Sequence, residues 1–174
     1  MKRKAVQFCK AGALALGLGF SGLSIAGPTV SAGYLELIDL GGVDLGAIYG
    51  SVGYEFDLGP NVSVTPEFRA GFGVKDDTVR EFGVNVDLEL TRLLGFATRF
   101  TYTADNGLYA YGTTSYVNYE AKASAQGLSE KEDTWEFGIG AGVGFLFTPQ
   151  AGFEVQYENV DSEDVVSAAF RFRF

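Results

Sequence analysis

The side chains on which hydrolytic and transfer enzymes most often depend are missing from this sequence. It contains no histidine, and its single cysteine is Cys9, so a serine or cysteine nucleophile has no imidazole to take its proton. Carboxylates are plentiful, but no motif marks a cleft around a pair of them, and catalysis is not expected. Two acidic groups, Asp161, Glu163 and Asp164 in one and Glu130, Glu132 and Asp133 in the other, offer oxygen ligands. Neither has the spacing of an EF-hand loop, so solvated charge is the expected role, with no metal and no cofactor.

What many of the remaining charges share is a spacing of two. Glu55 precedes Asp57, Glu67 precedes Arg69, and Asp87 precedes Glu89; Glu120 and Lys122, and Arg171 and Arg173, repeat the pattern, while Glu154 and Glu158, four apart, and Arg99 and Glu136 fall on the same parity of their segments. Side chains two apart share one face of a β-strand. Acids and bases confined together on that face are expected to pair with one another.

The elements that would carry them are legible as strands. From Trp135 to Phe147 the odd positions are Trp, Phe, Ile, Ala, Val, Phe and Phe, while the even ones are nearly all glycine. Residues 62–74 alternate in the same way, with Val62, Val64, Phe68, Phe72 and Val74 against Ser63, Thr65, Glu67, Arg69 and two glycines. This period of two marks strands with opposite environments on their faces. Eight such segments are expected, at 34–40, 45–58, 62–74, 84–103, 108–123, 134–148, 152–161 and 165–174. The first, with Tyr34-Leu35-Glu36-Leu37-Ile38-Asp39, does not choose a face cleanly. Short turns at Gly59-Pro60-Asn61, Ala104-Asp105-Asn106-Gly107 and Pro149-Gln150-Ala151 alternate with longer or more acidic connections. Turns of this kind on one side and acidic loops on the other describe an up-and-down meander.

Which face is inside follows from bulk. Downstream of residue 32, every aromatic except Tyr34, Tyr49 and Tyr116 falls on the apolar parity, and apart from Asp161 at the very end of the seventh segment Arg92 is the one charge there in the second to eighth segments. An eight-stranded barrel has a narrow interior and cannot hold so many rings. The polar parity suits the interior and the aromatic parity suits lipid, which implies an all-β, eight-stranded, antiparallel, up-and-down transmembrane β-barrel. Tyr54, Phe56, Phe100, Tyr102, Tyr109, Tyr111, Phe145, Phe147, Phe153, Phe172 and Phe174 lie near the short turns and the C-terminus, where they would form a periplasmic girdle. Phe72, Tyr119, Trp135 and Phe137 lie toward the acidic loops and would form a sparser outer one.

The N-terminus reads as an export signal. Met1-Lys2-Arg3-Lys4 and Lys10 are followed by an apolar stretch over 11–27 and by Val30-Ser31-Ala32, which places cleavage between Ala32 and Gly33. A retained helix is the competing reading, but 17 residues fall short of the roughly 20 that a spanning helix needs. Residues 1–32 are thus expected to leave and 33–174 to form one barrel domain. Cys9 and four of the 13 basic residues leave with the signal, taking the net charge from −9 to −13. Nucleic acid is not an expected partner of so acidic a chain.

The ending Phe170-Arg171-Phe172-Arg173-Phe174 resembles the last strand of the opacity-protein and OmpA/OmpX-like group of small outer-membrane barrels. Ala169 stands where that group usually has glycine. The resemblance extends over the region after the signal and implies residence in a bacterial outer membrane, with lipids as partners. It also implies that the barrel-assembly machinery recognises Phe170, Phe172 and Phe174. A structural or surface-interaction role is expected, with a plugged, charged lumen and acidic external loops; the alternative is a narrow passive channel for small solutes or cations. No particular extracellular ligand is indicated. Counting up the hairpin from Thr103 opposite Leu108 brings Arg92 opposite Tyr119, roughly 25 Å above Tyr102 at about 3.3 Å per residue and a 40° tilt. There Arg92 could hold a lipid phosphate against the Tyr119 ring.

Overall fold

The computed structural model describes residues 24–38, 44–75, 77–81, 84–125, 128–161 and 163–174; most of the expected leader, up to residue 23, lies outside them. These residues form β1 (Ser24–Ile38), β2 (Asp44–Gly59), β3 (Val62–Lys75), β4 (Asp77–Glu81), β5 (Val84–Thr103), β6 (Leu108–Ala125), β7 (Leu128–Leu146), β8 (Ala151–Val160) and β9 (Glu163–Arg173). Neighbours in the chain pair antiparallel, except that β5 pairs with both β3 and β4, and β1 pairs with β9 to close the ring. Because β4 resumes the line of β3 after residue 76 and pairs only with the far part of β5 (Asp77↔Leu88), the ring has the eight staves read from the sequence.

Alternation of side chains around this ring is what the lipid demands. Val52, Phe96, Phe137, Ile139, Val143 and Phe170 point outward and are each more than half exposed. A surface of that composition is stable only against hydrocarbon. On the other face, Thr65, Glu67, Arg69, Arg99, Thr101, Thr113, Glu154 and Arg171 are buried.

Three features differ from the sequence reading. First, β1 begins ten residues earlier than expected and does choose a face: Thr29, Ser31, Leu35 and Leu37 are buried while Pro28, Ala32, Tyr34 and Ile38 are exposed. The expected cleavage point after Ala32 therefore falls inside a continuous strand. Second, the pairing of β5 with β6 begins one residue later than expected, leaving Leu108 as well as 104–107 between the first paired residues. The Ala104 N–H donates to the Leu108 carbonyl across the loop, and Thr103 pairs with Tyr109. One extra loop residue shifts the register by one, and such a slip exchanges the two faces of a strand. Hence Tyr109 and Tyr111, expected in the lipid-facing girdle, are inside the barrel at 3% and 4% exposure, while Tyr116 is outside. Third, the interior is not uniformly polar. Toward the long hairpins Leu35, Leu37, Tyr49, Leu90, Leu93, Val117, Val160 and Val165 form a buried apolar cluster, with Tyr119 packed against it.

Candidate functional site: the barrel interior and outer rim

Charge inside the barrel is concentrated in one layer, built by alternate residues of β3, β5, β8 and β9. Arg99 reaches from β5 to hold both oxygens of Glu154, with Nη1 at 2.7 Å from Oε2 and Nη2 at 2.8 Å from Oε1, and its Nε lies 3.2 Å from Glu67 Oε1. Arg171 bridges the same two acids, 2.6 Å from Glu67 and 3.2 Å from Glu154, and a further N–H reaches Thr29 Oγ1 at 3.4 Å. Arg69 pairs with Glu158 at 3.0 Å and lies 3.7 Å from Glu67. Three guanidinium groups thus face three carboxylates, and none of the six residues is more than 8% exposed. Bidentate, hydrogen-bonded pairing of this kind is what lets ions persist out of water.

Neutral groups complete the layer. Ser115 is hydrogen-bonded to Glu158, and Gln156 donates to it at 2.6 Å; the Tyr109 hydroxyl donates to Glu154 at 3.0 Å. The Arg99 guanidinium lies over the Tyr111 ring, 3.8 Å from its centroid, a favourable cation–π placement. The two tyrosines have room because Tyr109 pairs with Gly144 and Tyr111 with Gly142 across the β6–β7 ladder. A Cβ at either glycine would fall within the facing tyrosine ring.

The sequence-derived interior residues thus divide into groups. Glu67, Arg69, Arg99, Glu154, Glu158 and Arg171 meet in the layer. Glu55 and Arg173 form a separate pair, 3.4 Å apart, nearer the short turns. Glu120, Lys122 and Glu136 are half-buried toward the long hairpins, while the side chains of Asp87 and Glu89 lie outside the described residues. Thr29, Tyr109, Tyr111, Ser115 and Gln156 escaped sequence reading. For the tyrosines a signal existed in the glycine face of β7, which requires bulk from a neighbouring strand.

Arg92 is exposed, but its partner is not the expected one. The shifted register sets it opposite Glu120, with Nη2 at 3.2 Å from the carboxylate, and sets Leu93 opposite Tyr119. Tyr119 faces the inner apolar cluster, so it cannot support an outward lipid-binding arginine. The ring stack on the outer surface is formed instead by Tyr116 and Trp135, with centroids 5.1 Å apart.

At the same end the ring becomes uneven. The β6–β7 ladder continues to Ala125↔Leu128, whereas β8 leaves β7 at Gly138↔Val160. Residues 128–136 of β7 therefore pair with β6 on one side and, among the described residues, with no strand on the other.

Comparison with known proteins agrees with this architecture. Residues 7–174 match the family model of the outer membrane protein beta-barrel domain. The fold is similar to the attachment invasion locus protein Ail of Yersinia pestis, at 19% identity over 85% of this chain and 99% of that one, with a TM-score of 0.58. It is also similar to the N-terminal β-barrel domain of Pseudomonas aeruginosa OprF, at 13% identity over 87% and 100% of the two chains and the same TM-score of 0.58. Neisserial surface protein A gives 14% identity over 88% and 99%, with a TM-score of 0.56. No curated protein sequence matches the chain. Since the family model spans nearly the whole sequence, and the eight-staved ring turns its aromatic bulk toward lipid, the chain belongs to the outer membrane protein β-barrel domain family.

Proposed function

We propose that this protein is a non-catalytic, non-conducting outer-membrane barrel that works through the sheet it raises above the membrane. The observation that carries the reading is the uneven rim. At about 3.3 Å per residue and a 40° tilt, the 18 residues of β6 rise roughly 45 Å, well beyond an apolar band of about 25 Å. The surplus is a sheet whose edge along 128–136 of β7 meets no strand among the described residues, a stretch that carries Glu130, Glu132, Asp133 and Glu136 against Lys131. An open edge can take up an extended segment of another protein by main-chain hydrogen bonding, and the acidic sequence favours a basic one. The likeness to an attachment invasion locus protein supports a surface role.

The interior supports the non-conducting half of the proposal, because an ion would have to pass both the paired charge layer and the aliphatic cluster above it. In this reading the N-terminal residues act as a cleaved export signal. The outward-facing Phe170 and Phe172, with Phe174, form the row that the assembly machinery engages, and membrane lipids cover the aromatic belt. A two-part experiment tests the function. Refolded protein in a planar bilayer should give no unitary current steps, and cells displaying it should capture a lysine-rich extended peptide. Removal of residues 121–132 should abolish capture while leaving the barrel folded. Regular channel openings, or capture unchanged by the deletion, would refute the reading.

A further inference from the structure

We infer that the export signal is cut between Ala26 and Gly27, six residues before the site suggested by Val30-Ser31-Ala32. The inference rests on the export reading above and adds the position of the cut. It begins with β1. Residues 27–32 pair on one side with β2, from Gly27↔Glu55 to Ala32↔Gly50. On the other side they meet the end of β9, from Thr29↔Arg173 to Ala32↔Phe170, and the Phe174 N–H donates to the Pro28 carbonyl at 3.0 Å. This is the seam that closes the ring. Its inward side chains are committed too: Ser31 and Ser51 share a buried hydrogen bond of 2.6 Å, and Thr29 accepts from Arg171 in the charge layer.

Cutting after Ala32 would strip the last residues of β9 and the facing stretch of β2 of their partner. In hydrocarbon no water replaces the lost backbone hydrogen bonds, so half of the seam would stand open. Cutting after Ala26 removes nothing from the closed ring. The β1 register is interrupted between Ile25 and Gly27, and Ser24 and Ile25 pair with β2 alone. Pro28 is the first residue bonded from both sides, and Gly27 before it lies so close to Phe174 that a Cβ there would collide with the Phe174 carbonyl oxygen.

The sequence on the other side of the bond has the required form. A charged start is followed by ten apolar residues, 11–20, and then by Ser21-Gly22-Leu23-Ser24-Ile25-Ala26. That order matches a 7–15-residue apolar segment followed by a small-x-small cleavage motif. The α-ammonium released at Gly27 would enter a cleft of about 330 Å³ bordered by Glu55, Asp57 and Arg173, where the two carboxylates outnumber the single cation.

Intact-mass measurement of the protein isolated from the outer membrane tests the assignment, together with pulse-chase processing of Ala26→Tyr and Ala32→Tyr precursors on denaturing gels. The expected mass is that of a chain starting at Gly27, with Ala26→Tyr accumulating as precursor and Ala32→Tyr maturing at the native rate. A mass starting at Gly33 or at any other downstream residue, or a block by Ala32→Tyr alone, would overturn the site while leaving export intact. A mass that includes Met1 would overturn the export reading itself. Processing on a denaturing gel does not require either variant to fold.

Discussion

Truncating Glu154 is the sharpest probe of the charge layer. Its carboxylate holds Arg99 at 2.7 and 2.8 Å, Arg171 at 3.2 Å and the Tyr109 hydroxyl at 3.0 Å. In Glu154→Ala three buried guanidinium groups would share two carboxylates, Glu67 and Glu158. Arg99, with a side chain only 4% exposed, would keep a single acidic neighbour, Glu67 at 3.2 Å. Removing one partner of a buried ion pair costs about 3–5 kcal/mol, most of it from the charge left behind, and the orphaned tyrosine hydroxyl adds about 1 kcal/mol. Adding Arg99→Met should recover part of that loss, since it restores the charge balance, with a coupling of about 1–3 kcal/mol between the two sites. Urea unfolding of protein refolded in phospholipid vesicles measures each term, and Trp135, the only tryptophan, reports from the lipid-facing surface. A loss below about 1 kcal/mol for Glu154→Ala, or strict additivity in the double variant, would refute the view that the layer is a coupled, dry ion-pair network.

Other consequences are open to equally direct measurement. In contrast to Glu154, Arg92→Leu should change stability by less than about 1 kcal/mol in the same assay, because the Arg92 side chain in its pair with Glu120 is 48% exposed. Gly142→Val should destabilise by about 1–3 kcal/mol or more through collision with the Tyr111 ring, whereas Gly112→Ala, whose Cβ would meet only the Gly140 carbonyl oxygen at 3.9 Å, should be near neutral. Equal effects of the two would mean that β6 faces the other way. Unheated protein in detergent should migrate apart from boiled protein on a gel, and a single unshifted band would contradict a closed, persistent ring. Deleting Phe174 should slow assembly in cells, and normal surface levels of that deletion would remove the last residue from the assembly signal.

The amino-acid pattern alone carried the architecture. Alternation over 62–74 and 135–147 specifies strands, and the aromatic bulk on one parity specifies which side must meet lipid, because an eight-stranded interior has no space for it. The lack of histidine is by itself an argument against an imidazole-dependent enzyme. Pairing order followed as well, since short turns join neighbours. Facing within β6 was not decided locally. Its sequence Leu108-Tyr109-Ala110-Tyr111-Gly112-Thr113-Thr114-Ser115-Tyr116 puts rings and small residues on both parities. A single extra residue in the preceding turn then tipped Tyr109 and Tyr111 into the space left by Gly144 and Gly142 on the next strand. The same holds for 24–33, where Gly27 and Pro28 sit in a stretch that reads as the end of an export signal. It becomes a strand because β2 supplies hydrogen-bond partners along one side and, from Pro28 on, the end of β9 supplies them along the other. Likewise, the partners of Arg99 come from strands 32 and 55 residues away, at Glu67 and Glu154. Strand period and hydrophobic bulk are properties of a segment, and the sequence by itself determined them. Register, seam and ion-pair partners are properties of the closed ring, where each strand's position is set by two neighbours at once, and only the tertiary structure decided them.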